Sequence, residues 1–283
     1  MRATVIIPCH DRVEWLRDLL ISLRQEGAPS EEVEVIVVDD ASTEPLDALL
    51  QSAFPNVRFL RSEERISPAA ARNKAAKQAR GRLLLFLDAD GVVAPGWLQA
   101  MLSADDGSTV LLGVVKDFTG KKIQIGPRRA TFLGKSLPCR PSRANVGGAG
   151  NLAVPQQAFA AVGGFDEELG YYFEDTDLCI RLARAGTPFL FMQEAVFLHR
   201  GTTQKRGEAV FRQERNSTYA MLKHYQDSSI RRALFLLTNA AWCLFRYSVW
   251  YAQGRREEAT LLRLGFIRGI HDFQEHVRGA SQR

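Results

Sequence analysis

Short apolar runs alternating with segments of helical spacing constrain the fold of this chain most strongly. The runs read, in chain order, ATVIIP, VEVIVVDD, NVRFLR and RLLLFLDAD. Between the first two, four leucines share one face of a helix predicted over Val13 to about Gln25. Helices are also predicted over residues 46–54 and 68–79, the latter capped by Ser67. Strands that alternate with helices indicate an α/β fold with a mainly parallel, doubly wound sheet flanked by helices.

The pattern becomes less regular after this alternation. Strands are predicted over residues 109–115, 151–154, 189–192 and 195–198, and a helix over 174–185. Residues 117–148 are basic and rich in Gly and Pro, so we expect a long functional or mobile loop there. The remainder has helical character, which predicts a catalytic domain over residues 1–204 and a C-terminal helical region over 205–283.

Composition limits the class of protein. The chain has 283 residues and 46% hydrophobic content, enough to bury a large core. The N-terminal segment MRATVIIPCHD lacks the apolar core and cleavage site of a signal peptide, so we expect a cytoplasmic protein. Four widely spaced cysteines without a CxxC pair argue against a zinc site or a disulfide framework.

Charge is distributed unevenly along the chain. From Arg200 onward there are 15 Lys and Arg against 7 Asp and Glu, whereas the preceding residues carry 22 against 25. A basic tail of this kind indicates either a polyanionic partner, nucleic acid or an anionic membrane, or a merely solvated basic face.

Two carboxylates follow the most apolar run. Asp88 and Asp90 come directly after five consecutive apolar residues, and the carboxyl ends of buried parallel strands are where open α/β sheets bind ligands. Two converging acids repel each other unless a cation lies between them, and Mg²⁺ or Mn²⁺ would accept their oxygens. The alternative is that one acid caps the next helix and the other is solvated.

An ordered series of motifs resembles a known family. The series comprises VIIPCHDR, VIVVDDAST, AAARNKAAKQARG, LLLFLDADG, GGAGNLAV with GGFDEEL, and EDTDLCIRLARAG. It resembles family 2 of the nucleotide-sugar glycosyltransferases over roughly residues 3–200. The resemblance implies a GT-A fold, a Mn²⁺ or Mg²⁺ cofactor, and inverting transfer of a hexosyl or N-acetylhexosaminyl group.

The resemblance assigns residues to the donor. Pro8, Asp11 and Asp40 match positions beside the nucleotide, usually uridine, and Arg72 matches one that often touches the base or diphosphate. Asp11 has an alternative role as an N-cap, and Arg72 as a solvated helix arginine. The segment from Gly148 to Asn151 resembles the one that lies against the donor sugar, which places Gly150 and Asn151 there.

The resemblance also assigns the metal ligands. Asp90 would contact the ion directly, Asp88 would contact ribose or reach the ion through water, and His199 would complete the ligand set. A purely structural role is the alternative for His199.

The motif EDTD supplies the candidates for acid-base chemistry. By the resemblance, Asp175 is the base that activates the acceptor hydroxyl, and Glu174 orients or binds the acceptor, while Asp177 is structural. Carboxylates in the first turn of a helix also stabilise it, so capping is the alternative for all three. The first motif, PCHDR, and the basic stretch depart from the usual family pattern, which leaves the donor and acceptor open.

The tail contains the apolar segment ALFLLTNAAWCLFRYSVWY, which is too short and too interrupted for a bilayer span of about 20 residues. Its aromatic and arginine residues favour an amphipathic helix at the membrane interface. A helical hairpin packed on the domain, or a homodimer face, is the alternative.

Together these features predict transfer of a sugar from a nucleotide-diphosphate donor, with UDP favoured, to a hydroxyl of a glycan or lipid-linked acceptor. The enzyme would lie in the cytoplasm or at the inner face of the cell membrane, with no nucleic-acid partner. The rival hypotheses are a polyprenyl-phosphate sugar synthase, whose phosphate acceptor needs no base, and a silent sugar-nucleotide-binding subunit.

Overall fold

The computed structural model of the protein describes residues 1–201 and 206–280. The chain forms two compact units. The first comprises Met1–Arg129, Leu137–Gly170 and Glu174–Gly201, and the second comprises Ala130–Ser136, Tyr171–Phe173 and Thr202–Arg283. The predicted domain boundary between residues 204 and 205 lies outside the described residues.

The first unit is built on a mixed sheet. Its strands are β1 (Ala3–Cys9), β2 (Val33–Asp40), β3 (Arg58–Ser62), β4 (Leu83–Leu87), β5 (Gly91–Val93), β6 (Val110–Asp117), β7 (Ile123–Ile125), β10 (Asn151–Pro155) and β11 (Phe189–His199). They follow the order β3-β2-β1-β4-β10-β6-β11-β5, and β7 pairs with β6. Two further strands, β8 (Arg128–Ala130) and β9 (Ser136–Pro138), form a separate ribbon.

Helices cover the sheet. They are α1 (Val13–Gln25), α2 (Leu46–Leu50), α3 (Pro68–Ala76), α4 (Trp97–Ser103), α5 (Gln156–Ala161) and α6 (Glu174–Arg184). All residues of β2 and β4 are buried, because helices cover both faces of the sheet at these strands. The predicted α/β architecture, with mostly parallel strands flanked by helices, is confirmed.

Two local predictions are corrected, and two short elements had no prediction. The stretch 117–148, predicted as one loop, contains β7, β8, β9 and a 3₁₀ turn at Pro141–Arg143. The two strands predicted over 189–198 are the single strand β11, whose register shifts between Met192 and Val196. The short elements β5 and α4 were not predicted, because three or seven residues are too few to establish a periodicity.

The polarity of the sheet changes beside β4. Strands β1 to β4 pair in parallel, whereas β10 is antiparallel to both β4 and β6. The carboxyl end of β4 therefore faces the amino end of β10, with Leu87 opposite Asn151. This register brings the DAD motif next to the glycine-rich segment before β10.

The second unit is helical. Its helices are α7 (Arg206–His224), α8 (Ser229–Ala252) and α9 (Arg256–Ala280). Phe235, Asn239 and Cys243 are the buried residues of α8. Over residues 1–201 and 206–280, no helix has both the length and the apolarity required to cross a membrane.

Candidate active site

The predicted donor-side carboxylates lie at one edge of the sheet. β2, β1 and β4 are adjacent and parallel, so their carboxyl ends meet at the same edge. Asp40 ends β2, Asp11 follows β1, and Asp88 and Asp90 follow β4. Pro8 lies in β1 opposite Val38 and is half-buried.

Asp11 joins two loops at this edge. Its backbone has a positive φ of 53°. Its carboxylate accepts hydrogen bonds from the Thr43 backbone N–H at 2.6 Å and from the Thr43 hydroxyl at 3.2 Å. These hydrogen bonds lower the pKa of Asp11, and the bond from the Thr43 backbone has the larger effect. The N-cap position of α1 is Arg12 and has no side-chain cap, so the N-cap alternative for Asp11 is wrong.

Asp40 is buried and organises the chain after β3. Its carboxylate accepts hydrogen bonds from the Ile66 backbone N–H at 2.7 Å and from Arg65 Nε at 3.1 Å. Only 3% of the residue is exposed. Asp40 therefore fixes the backbone just before Ser67, the N-cap of α3.

Arg72 connects Asp88 to Glu174. It projects from α3, is only 3% exposed, and donates to Asp88 at 2.6 Å and to Glu174 at 3.2 Å. Its guanidinium also lies 5.4 Å from the ring centroid of Phe165. The alternative of a solvated helix arginine is therefore wrong. One buried cation holds the DAD motif at the end of β4 next to the first turn of α6.

Asn73, which follows Arg72 in α3, was not predicted as a site residue. The Asn73 amide donates to the Phe165 carbonyl at 2.9 Å, and its oxygen accepts from the Phe165 N–H at 2.9 Å. Phe165 itself is buried between Phe86 and Phe159. Helix α3 thus fixes the GGFDE turn as well as Asp88. In the sequence, two adjacent polar residues in an otherwise Ala-rich helix could have indicated this role.

Asp90 lies between an arginine and a histidine side chain. The Arg12 guanidinium lies 2.6 Å from Asp90 Oδ2, and His199 Nε2 lies 3.3 Å from Asp90 Oδ1. Burial raises the pKa of Asp90, but its contacts with His199 and Arg12 outweigh burial and hold the pKa below its ordinary value. The neighbouring Asp90 carboxylate raises the pKa of His199. Arg12 was not among the predicted site residues.

Asp90 and His199 fit a divalent cation. Asp90 Oδ1 is buried and makes no hydrogen bond among the described residues. His199 Nδ1 lies 2.8 Å from Gln124 Oε1, and an Nδ1–H donating to that oxygen leaves the Nε2 lone pair for a metal ion. A carboxylate and an imidazole that face each other suit Mn²⁺ or Mg²⁺, which also bind substrate phosphates.

Glu174 and Asp175 begin α6 at the other side of Arg72. Burial, and then the Asp175 charge, raise the pKa of Glu174 to about 7, although the Arg72 charge opposes them. Burial also raises the pKa of Asp175. Asp175 accepts hydrogen bonds from the backbone and hydroxyl of Thr176, and from the Ala149 backbone N–H at 3.4 Å. Buried acids whose pKa values are raised, that of Glu174 to about 7, suit proton transfer.

Asp177 has a structural partner. Its carboxylate pairs with Arg181 at 2.6 Å one turn along α6. Arg181 in turn donates to the carbonyls of Val162 and Gly164 at 2.7 and 2.6 Å. This chain of contacts ties α6 to the turn before Phe165.

The glycine-rich segment lies between the two groups of acids. A Cβ on Gly150 would lie 2.5 Å from an oxygen of Asp88, so only glycine fits beside that carboxylate. One residue earlier, the Ala149 N–H faces Asp175. The segment therefore touches the DAD motif and the predicted base within two residues.

Asn151 is placed differently from its neighbours. It is fully buried, accepts from Trp97 Nε1 at 2.8 Å, and donates to the carbonyls of Val114 and Ala195 at 2.9 and 2.8 Å. Its side chain has no exposed atom for a donor, in contrast to its predicted role. It joins β10 to β6 and β11 where the register of β11 shifts.

A known protein family matches more than half of the chain. The family model described as Glycosyl transferase family 2 matches residues 4–161. The chain belongs to this family.

Two curated relatives are similar over most of this chain. A pre-mycofactocin glycosyltransferase from Mycobacterium tuberculosis is 31% identical in an alignment of 219 residues that covers 72% of this chain and 43% of that protein. The glycosyltransferase AglE from Haloferax volcanii is 28% identical over 69% of this chain and 66% of its own length. This family 2 chain thus spans less than two thirds of either relative.

Solved structures show the same fold. A mannosyltransferase from Pyrobaculum calidifontis in complex with GDP-Man and Mn²⁺ has a TM-score of 0.62 at 17% identity, over 96% of this chain and 87% of its own. Staphylococcus aureus TarS in complex with UDP has a TM-score of 0.60 at 22% identity, over 83% of this chain and 71% of its own. The predicted GT-A fold is confirmed.

Proposed function

We propose that this family 2 chain is an inverting, metal-dependent glycosyltransferase that moves a sugar from a nucleotide-diphosphate donor to a hydroxyl acceptor. The observation that carries the proposal is the segment from Gly148 to Asn151, which touches Asp175 through Ala149 and Asp88 through Gly150. A base and a donor-binding carboxylate on either side of one short segment can act on one sugar.

Each acid has a distinct role in this proposal. Asp175 removes the proton of the acceptor hydroxyl as its oxygen bonds to the anomeric carbon, and the bond from that carbon to the diphosphate breaks on the opposite side. Glu174, held by Arg72, orients the acceptor. Asp88 faces the ribose, while Asp90 and His199 would hold Mn²⁺ or Mg²⁺, which neutralises charge on the leaving diphosphate.

The nucleotide part of the donor would lie at the ends of β1 and β2. Pro8, Asp11 and Asp40 line this edge and Arg12 adds a positive charge toward it. We take the donor to be a UDP-linked hexose or N-acetylhexosamine, with support from TarS, which has been solved with UDP and with UDP-GlcNAc. The acceptor would be a glycan or lipid-linked glycoconjugate. A lipid-linked acceptor would place the enzyme at the inner face of the cell membrane.

The test is a donor panel. UDP, GDP and dTDP sugars are incubated with the protein, with and without Mn²⁺, and release of the nucleoside diphosphate is measured. We expect one nucleotide class to be turned over with the ion, and activity to fall by several orders of magnitude with EDTA or in Asp90→Ala. Activity that survives both treatments would overturn the metal-dependent proposal.

A further inference from the structure

Helix α8 has its apolar side facing outward. Ile230 is 80% exposed, Leu237 72%, Leu244 64% and Phe245 62%. With Leu234, these residues fall within an arc of about 100° at 100° per residue, which places them on one helical face. We call this set of five residues the α8 row. The row runs from residue 230 to residue 245, about 22 Å along the helix of 24 residues.

Two polar residues of α8, Asn239 and Arg246, lie on the side opposite the α8 row. Asn239 is fully buried and donates to Glu214 at 3.3 Å and to Thr218 at 3.2 Å. Arg246, the last arginine of the helix, is half-buried, lies 3.5 Å from Glu214, and stacks on Trp250. α8 therefore presents a row of large apolar side chains to water, where an ordinary surface helix presents mainly polar and charged ones. An exposed apolar row of this length indicates an interaction surface.

Aromatic residues with polar tips border the α8 row. At 100° per residue, Trp242 lies at one edge of the row and Tyr251 at the other, and they are 41% and 47% exposed. Arg231 directly follows Ile230, the first residue of the row, and Arg256 lies beyond the other end with its guanidinium 5.1 Å from the Tyr251 ring centroid. Aromatic and arginine borders around an apolar strip are typical of helices that lie in a membrane interface.

Charge decides between a membrane and a second copy of the chain. The helix itself contains three arginines and no acidic residue, and the chain from Arg200 onward is strongly basic. Two such basic surfaces repel each other within a Debye length of about 10 Å, whereas an anionic bilayer attracts each of them. Because no described helix can span a bilayer, the fitting arrangement is one that lies along its surface.

We propose that the α8 row is a membrane-docking surface that inserts into the headgroup region of an anionic phospholipid bilayer. The proposal deepens the lipid-linked acceptor part of the proposed function, but the binding itself needs neither donor nor catalysis. Insertion places the five apolar side chains among acyl chains and the flanking arginines at the level of lipid phosphates.

The test is sedimentation with vesicles. Full-length protein is mixed with phosphatidylcholine vesicles containing none or about 30% phosphatidylglycerol, at low and high salt. The test variant is Leu237→Gln with Leu244→Gln, which preserves net charge. The matched control is Ile123→Gln with Leu137→Gln, two residues that are 58% and 54% exposed outside α8. Thermal unfolding confirms that each variant is folded.

We expect the wild type and the control to bind anionic vesicles, and the α8 variant to bind about tenfold or more weakly. Binding should fall at high salt and remain intact in Asp175→Asn, which separates a failure of docking from a failure of the proposed chemistry. Equal binding by the α8 variant and wild type would overturn the proposal. The proposal would also be overturned if the wild type bound no vesicles, or if the protein formed a dimer in solution that only the α8 variant abolished.

Discussion

A single buried arginine organises the candidate site at the scale of residues. Arg72 is nearly inaccessible to water and faces Asp88 on one side and Glu174 on the other. Its contacts cross 102 positions of sequence to Glu174. Removing one partner from a buried ionic group leaves uncompensated charge, which costs far more than the loss of a surface pair.

Arg72→Met should therefore destabilise the protein and disable transfer together. We expect a loss of about 3 to 5 kcal/mol in the free energy of unfolding, measured by denaturant titration. Arg17→Met is the matched control, since Arg17 pairs with Glu14 on the exposed side of α1 and should change stability by less than about 1 kcal/mol. Equal stabilities for the two variants would contradict the role given to Arg72.

Asp175→Asn tests the base directly, because it keeps the shape of the side chain and removes its basicity. Transfer should fall by about 10² to 10⁴ while donor affinity changes little. Asp177→Asn is the comparison on the same helix, where the loss of the Arg181 pair should lower the melting temperature rather than abolish chemistry. If Asp175→Asn retains transfer to a hydroxyl acceptor, the base is elsewhere; if it retains transfer only to a phosphate acceptor, a phosphate-directed synthase is favoured.

The acids of α6 also predict a pH dependence. The pKa of Glu174 is raised to about 7 and that of Asp175 is raised as well, both first by burial. As the pH falls through about 7, Glu174 takes up a proton and the doubly ionised pair is lost. We expect kcat/KM to fall over the same pH range. Because folded Glu174 retains its proton above its ordinary pKa of 4.5, its contribution to stability is complete below 4.5 and is lost as pH rises through about 7.

A pH profile of kcat/KM from pH 5 to 9 provides the measurement. In Glu174→Gln the Asp175 charge loses its acidic neighbour, so the acidic limb should move to lower pH. A wild-type profile that is flat down to pH 5 would contradict the raised pKa values.

At the scale of elements, Asn151 holds the mixed part of the sheet together. Its amide bonds Trp97, Val114 and Ala195, and a Cβ on Gly113 would lie 2.1 Å from Asn151 Nδ2. The glycine makes room for the amide in β6, and the amide satisfies carbonyl groups on β6 and β11.

Asn151→Leu should consequently leave three buried polar groups without their partner. At about 1 to 3 kcal/mol for each group, the free energy of unfolding should fall by several kcal/mol. Gly113→Ala should be destabilising too, since its Cβ meets the same amide. Gly107→Ala is the control, because Gly107 has a positive φ and open space around it. We expect it to lower the free energy of unfolding by less, through backbone strain alone. Unchanged stability in Asn151→Leu would show that the amide has no structural role.

The sequence predicted regular elements better than their contacts. Periodicity was sufficient for the long helix α1 and the buried strands β2 and β4, because many residues repeat one pattern there. Periodicity did not predict β7 to β9, because these three-residue strands include exposed positions. It also did not predict that Arg72 and Asn151 are buried. Partners such as Glu174 and Ala195 are distant in sequence, so no local pattern could reveal that these polar side chains are enclosed.

At the scale of the whole molecule, two units carry different chemistry. The first unit holds the acids of the candidate site, and the basic second unit carries the α8 row. Transfer should therefore be separable from membrane docking by mutation. With a water-soluble acceptor, Leu237→Gln with Leu244→Gln should retain near wild-type turnover, because neither residue lies among the site residues. A comparable loss with soluble and vesicle-bound acceptors would contradict this separation.

The most direct test of the central claim is a calorimetric titration with UDP, GDP and dTDP in the presence and absence of Mn²⁺. The proposed site predicts that one nucleotide binds saturably with Mn²⁺, and that Asp90→Ala removes the Mn²⁺-dependent part of the affinity. Failure of every nucleotide to bind with Mn²⁺, or binding that is equal in wild type and Asp90→Ala, would contradict a donor site built on the DAD motif.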